Sequence, residues 1–205
     1  MSAVMNTETR QALIDAGIKG LMSDGWAAIR MRDLAEMVGI RAPSIYHHFK
    51  TKADLGLAMV DYLHAMMRDQ VQAINAKSES LLDRVLQFAS ADDHVPMFGG
   101  SCPIYNLQAE YAVLPEGMQK AVQKLVEEMV AALSNWVVAA QANGEIDRAC
   151  EPRTQACIVL SICEHGLQLQ LVLDTVAMTQ LVQGWYSSLR NTPRPKKSPS
   201  QRSNS

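Results

Sequence analysis

Apolar residues recur at helical intervals through most of the chain, which predicts an all-α protein. Leu13, Ile14, Ala16 and Leu21 give a first helix over residues 8–23 its buried face, Gly25 ends it, and Trp26 seals the small unit. Gly17 and Gly20 each weaken that helix by ~1 kcal/mol relative to Ala, so close packing is expected there. Residues 32–37 predict a short helix with Leu34, Ala35 and Val38 turned inward. Gly39 stops it, because glycine takes the left-handed position after a helix without steric cost. Another helix follows at once: Pro43 is pre-set for its first position, and Ile45 and Phe49 share one apolar face. Thr51 is a good N-cap for a long helix to about Asn75, with Leu55, Met59, Tyr62, Leu63, Met66 and Met67 at helical spacing. A short helix is expected over 78–89, then a loop, ADDHVPMFGGS, then a helix over 103–113. Pro115 opens a strongly periodic helix whose stripe is Met118, Val122, Leu125, Met129, Leu133, Trp136 and Ala140, ending at Asn143-Gly144. Pro152 starts a helix apolar on nearly every side from Ala156 to Leu173. The last helix, 175–189, has Asp174 as N-cap and Met178, Leu181, Val182, Trp185 and Leu189 as its stripe.

Two short helices joined by a glycine turn make a helix-turn-helix over 30–49, whose second helix can enter a DNA major groove. Arg41, Ser44, Tyr46, His47, His48, Lys50 and Lys52 crowd the ends and outer face of that helix, with no carboxylate from Gly39 to Ala53. Phosphate oxygens are bound by cations, hydroxyls and helix N-terminal N–H groups, and all three are supplied. Ala42 and Pro43 are small enough to let the backbone approach base edges, and either could touch a thymine methyl. The bland alternative is a helical hairpin with a solvated basic face. Missing acids, a glycine turn and clustered hydroxyls together tell against it.

The stretch MRDLAEMVGIRAPSIYHHFKTKADL resembles the TetR/AcrR family of transcriptional regulators, and the likeness runs from about Glu8 to Val60. The MRDLA helix, the glycine turn, the aromatic-rich YHHF and the TKADL that follows all fall at family spacing. The resemblance implies a three-helix DNA-binding domain over 7–67 and a helical effector-binding and dimerisation domain over 68–190. It implies that Arg32 and Arg41 to Ser44 face bases or nearby phosphates, and that Tyr46, His47, His48 and Lys52 grip the DNA backbone. Arg30 departs from the pattern, standing where a Ser or Thr usually caps the first helix. A cap worth about 1 kcal/mol is exchanged there for a cation beside the phosphates.

The chain has 205 residues, 48% of them apolar, with few glycines and prolines, so a sizeable helical core is expected. No apolar run approaches the ~18 residues of a membrane span, and MSAVMNTETR lacks the regions of a signal peptide. Four cysteines without a C-x-x-C argue against a disulfide framework and a structural zinc site, so a reducing cytoplasm is the default expectation. The net charge of −2 hides a division. Residues 1–60 hold seven Lys/Arg against six Asp/Glu, residues 61–189 seven against fifteen, and residues 190–205 five against none. The acidic excess therefore lies away from the DNA-facing stretch. The Pro/Ser-rich cationic tail, 191–205, is expected to be disordered and to add weak nonspecific attraction to DNA.

Two apolar helices at the end of the chain need a partner, and a two-fold four-helix interface through Ile158, Ile162, Leu169, Met178, Leu181 and Trp185 would bury both. Completion of a monomer core is the alternative. Pairing suits DNA binding, because two half-sites roughly double the contact energy. The resemblance implies a small-molecule pocket among the helices of 55–75, 100–113 and 115–142. Its candidate lining is Tyr62, Met66, Met67, Tyr105, Tyr111, Met129 and Trp136, though such stripes are more often plain core. Cys102 falls at an N-cap before Pro103, where a helix N-terminus lowers a thiol's pKa. The stretch GGSCPIYNLQAEY resembles that of family members that respond to electrophiles or unsaturated acids. Some of those carry C-x-C, whereas Ile104 occupies the second position here, and an incidental cysteine is the alternative. Cys150, Cys157 and Cys163 read as structural. Asp92, Asp93 and His94 could be called a metal cluster, but such a triplet on a loop is more often a solvated turn.

The sequence thus predicts a cytoplasmic homodimeric regulator without cofactor, binding a palindromic double-stranded DNA operator as a repressor and released by a small-molecule or electrophilic effector. A purely noncovalent ligand is the near alternative. The rival classes are an all-helical enzyme and a protein-interaction module. No convergent polar set for catalysis is found, and Glu164-His165, in an apolar helix, reads as a buried ion pair or interface contact.

Overall fold

A computed structural model of the chain describes residues 2–90, 102–173 and 177–190. Among these the regular elements are helices: α1 (Ser2–Asp24), α2 (Met31–Val38), α3 (Ile45–His48), α4 (Lys52–Lys77), α5 (Leu81–Ala89), α6 (Pro103–Ala109), α7 (Glu116–Ala142), α8 (Pro152–Val172) and α9 (Met178–Arg190). None is long and apolar enough to cross a membrane. The loop around Asp92, Asp93 and His94, the expected N-cap Asp174 and the tail 191–205 lie outside the described residues.

The N-terminal helices close over a small core. Leu13, Ile18 and Leu21 of α1 meet Leu34 and Ala35 of α2, Ile45 of α3, and Leu55 and Met59 of α4, all buried. Gly17 is what lets α1 approach α4: a Cβ there would lie 2.8 Å from the Met59 sulfur. Gly25 and Gly39 end α1 and α2 with φ of +81° and +76°; the left-handed conformation was expected for Gly39, and Gly25 shares it. Trp26 is buried as expected.

α4 runs out of this unit into the next. Thr51 opens it with a capping box: its hydroxyl accepts from the Asp54 N–H while the Asp54 carboxylate accepts from the Thr51 N–H. α7 packs along the length of α4, from Gly56 beside Met118 to Asn75 bonded to Trp136, and its whole expected stripe, Met118 to Ala140, is buried. Several expected boundaries shift: α1 starts at Ser2 and α9 at Met178, where residues 8 and 175 were expected. Ser78 caps the C-terminus of α4 instead of opening α5, which starts at Leu81 behind its N-cap Ser80. The 103–113 helix breaks at Glu110 into α6 and a 3-10 turn, Tyr111–Val113. The Glu145 carboxylate, which the periodicity gave no reason to single out, accepts from the Leu81 N–H at 2.9 Å and the Tyr186 hydroxyl at 2.8 Å. It thereby ties the start of α5 to α9.

Candidate nucleic-acid interface and effector interior

The element expected to face DNA is smaller than an ideal helix. Arg41 leads into a 3-10 turn, Ala42–Ser44, with Pro43 at its start, and α3 adds one α-helical turn before Phe49 leaves in extended backbone. The element keeps its pose because Ile45 and Phe49, four residues apart, are both buried. That leaves Arg41, Pro43, Tyr46, His47 and Lys50 exposed and Ala42, Ser44 and His48 half-buried. Tyr46 is 53% exposed, so its ring and hydroxyl are accessible on this face. Arg30 and Arg32 lie exposed along the start of α2. Arg30 occupies the N-cap without any side-chain cap bond, so the expected loss of the cap is seen.

Lys52 differs from expectation. Its ammonium turns inward to donate to the Trp26 carbonyl at 2.5 Å and the Ala27 carbonyl at 3.3 Å, and it sits 4.5 Å from the centre of the Trp26 ring. Burial pushes its pKa down, and the Glu110 carboxylate opposes that. In this arrangement Lys52 braces the turn after α1 instead of reaching outward. Arg10, which the sequence did not single out, lies 4.9 Å over the Phe49 ring and brings α1 beside the same surface.

The expected effector residues separate by depth. Met129 and Trp136 belong to the packed interior: the Trp136 indole N–H donates to Asn75 at 2.7 Å, and the ring meets Phe88 edge-on. Met67 is buried, and Tyr111 sits on the surface in the 3-10 turn, so it does not line a closed interior. Tyr62, Met66, Cys102 and Tyr105 are half-buried. Cys102 is the N-cap of α6 with Pro103 first in the helix, as expected, and its side chain makes no cap bond. Tyr105 and Gln108 of α6 face α8, where Tyr105 meets His165 edge-on at 5.8 Å and Gln108 donates to Glu164 at 2.5 Å. Burial pushes the Glu164 carboxyl up, against the effect of that bond. Glu164 is therefore held by Gln108 across helices, where the sequence left a buried ion pair or an interface contact open. A second inter-helix polar contact joins His64 of α4 to Glu128 of α7 at 2.6 Å, and it holds the Glu128 carboxyl below its usual range.

The expected pairing face divides in the same way. Met178 and Trp185 are buried between α8 and α9, with the Trp185 indole N–H donating to Gln155 at 3.0 Å. Ile158, Ile162, Leu169 and Leu181 line open clefts of about 490 and 570 Å³ along α8 and α9, and Trp185 contributes to the wall of the second. Leu169 is 42% and Val172 80% exposed, so α8 is open on one flank where its sequence predicts burial on both. Cys150 and Cys163 are buried as structural cysteines would be, whereas Cys157 lies exposed on this face.

Residues 13–59 match the profile of the bacterial regulatory proteins of the tetR family, and residues 94–185 that of the tetracyclin repressor-like C-terminal domain. The chain is 28% identical over 148 residues to the transcriptional regulator AcuR of Cereibacter sphaeroides, covering 69% of this chain and 67% of that one. It is 24% identical over 161 residues to the HTH-type transcriptional repressor NemR of Escherichia coli, covering 76% and 80%. The crystal structure of reduced E. coli NemR superposes with a TM-score of 0.72 at 21% identity, over 89% of this chain and 96% of that one. A TetR-family regulator from Agrobacterium tumefaciens superposes with a TM-score of 0.80 at 17% identity, over 90% and 99%.

Proposed function

This chain belongs to the TetR family, as a DNA-binding transcriptional regulator and not an enzyme, and we propose that it represses by binding a palindromic operator as a homodimer, which a small-molecule effector releases. The observation that carries this is the short, exposed, carboxylate-free element 41–50, locked onto the core by Ile45 and Phe49. In the proposed arrangement residues 7–67 bind DNA and residues 68–190 bind effector and partner, in the cytoplasm. Arg32 and the 41–44 segment face bases and nearby phosphates, while Arg30, Tyr46, His47 and His48 grip the backbone. Lys52 contributes only if its ammonium leaves the Trp26 carbonyl. The open α8 face with Ile158, Ile162, Leu169 and Leu181 supports the two-fold pairing. Tyr62, Met66, Cys102 and Tyr105 are the residues proposed to meet the effector, which shifts populations by favouring one setting of α4 and hence one spacing of the two DNA-reading elements.

The test is binding of the purified dimer to DNA upstream of its own gene, titrated with salt. Tight, salt-dependent binding is expected to weaken in both Tyr46→Phe and Arg41→Ala, by roughly 1–3 kcal/mol for Arg41 as a base contact. Parent-like affinity in both variants at matched salt would remove the contact assignment. Release by an electrophile such as acrylate or a quinone in the parent, but not in Cys102→Ser, would identify Cys102 as the sensor. Equal release in both would leave a noncovalent ligand.

A further inference from the structure

We propose that Glu110 is a positioning residue for DNA binding: from the C-terminal end of α6 its carboxylate holds the turn that leads into the helix-turn-helix, so the placement of α6 sets the pose of the DNA-reading element. The inference rests on the DNA-binding reading above.

The turn is gripped from two sides. Its N–H groups point at the acid: Trp26 donates to Glu110 Oε1 at 2.8 Å and Ala27 to Oε2 at 3.4 Å. Its carbonyls point at the base, since the same two residues accept from Lys52 Nζ at 2.5 and 3.3 Å. Both are charge-assisted bonds, stronger than neutral ones and more demanding of position. Gly25 makes the approach possible, because a Cβ there would lie 2.6 Å from Glu110 Oε1. Trp26 is fixed in turn, with Lys52 over its ring and its far edge so near Gly56 of α4 that a Cβ there would come within 2.6 Å.

The other end of the connection is α6 itself. Its seven residues make about two turns, a rod roughly 10 Å long. It lies on α1, with the Asn106 amide 3.4 Å from the Met22 sulfur, and it presents Tyr105 and Gln108 to α8. A rod this short transmits displacement as a body, so a shift on the α8 side moves Glu110 against the turn. The clasp joins residues 84 positions apart in the chain and is a direct polar link from α6 to the entrance of α2.

Coupling between two sites is reciprocal, so the test needs no effector. Hydrogen exchange of the α6 amides is followed in the full-length protein, with and without a DNA duplex that the protein selects from random sequences. In the parent, DNA is expected to slow that exchange by at least about five-fold. Glu110→Ala, with helix content checked by circular dichroism, is expected to bind the duplex yet lose the slowing. Should Glu110→Ala unfold, Glu110→Gln, which keeps the volume but only one neutral acceptor, is expected to reduce the slowing. Equal slowing in parent and variant, or none in the parent, overturns the assignment. A parent that selects no duplex sinks the DNA-binding reading itself, which is a separate result.

Discussion

Arg30 and Gly39 bound the eight-residue helix α2 and act on it in opposite senses. Gly39 stabilises the end: its φ of +76° is costly for any side chain, although nothing lies within 4 Å of the space a Cβ would take. Gly39→Ala is therefore expected to cost about 1–2 kcal/mol from backbone strain alone and to lower Tm by several degrees. An unchanged melting curve would refute the strain argument. Arg30 leaves the start uncapped. Arg30→Thr should regain about 1 kcal/mol of cap and raise Tm, while reducing the salt slope of operator binding by about one phosphate contact. A variant that melts lower, or keeps the parent slope, would show that Arg30 has some other role. The glycine was legible in the sequence because a left-handed residue is a local property of the chain. The direction of Lys52 was not, because its partners are carbonyls 25 and 26 positions away, brought to it by the packing of Trp26.

Between elements, packing decided what periodicity left open. Gly56 lies where α4, α7 and Trp26 converge, and a Cβ there would come within 2.7 Å of the Met118 methyl as well as meeting the indole. Gly56→Ala is expected to destabilise by about 1–3 kcal/mol through overpacking, despite its better helix propensity, and a rise in the denaturant midpoint would contradict that. Across α6 and α8, burial raises the Glu164 carboxyl above its ordinary 4.5. Between the ordinary value and the raised one, the native protein holds a proton that the unfolded chain has released. Its contribution to stability is complete below the ordinary value and is lost as pH rises through the raised one. Glu164→Gln removes that dependence, so the variant should gain on the parent in denaturant midpoint as pH rises from about 4 to 8. A difference that is flat or shrinks with pH would refute it. The periodic stripe of α7 was plain in the sequence, whereas the Glu164–Gln108 contact was not, because no spacing rule connects residues on helices that meet only in the fold.

Across the whole molecule, the division of charge and the open face of α8 point the same way. The stretch proposed to read DNA carries a modest positive balance, five Lys/Arg against two Asp/Glu from Gly25 to Lys52, which pairing would double. The face that would pair is apolar and carries few charges around its clefts, lined by Cys157, Ile158, Ile162, Leu169 and Leu181. Leu169→Glu places a charge in that face and is expected to leave the monomer fold intact. It should shift the protein to monomer in sedimentation and weaken operator binding at least about ten-fold, since one half-site is lost. A Leu169→Glu protein that stays dimeric would move the interface elsewhere.

The sequence by itself determined most of the helices, their glycine and proline boundaries, and the helix-turn-helix with its acid-free second half from Gly39 onward. Each follows from local conformational preference or from a three-to-four-residue period that a single helix displays. The tertiary structure decided which expected contact residues look outward. It turned Lys52 inward onto the Trp26 carbonyl, set Met129 and Trp136 in the core, closed Met178 and Trp185 against α8, and set Glu110 on the turn before α2. Those outcomes depend on which helix faces lie opposite each other, and a periodic stripe says only that a face is buried, not against what.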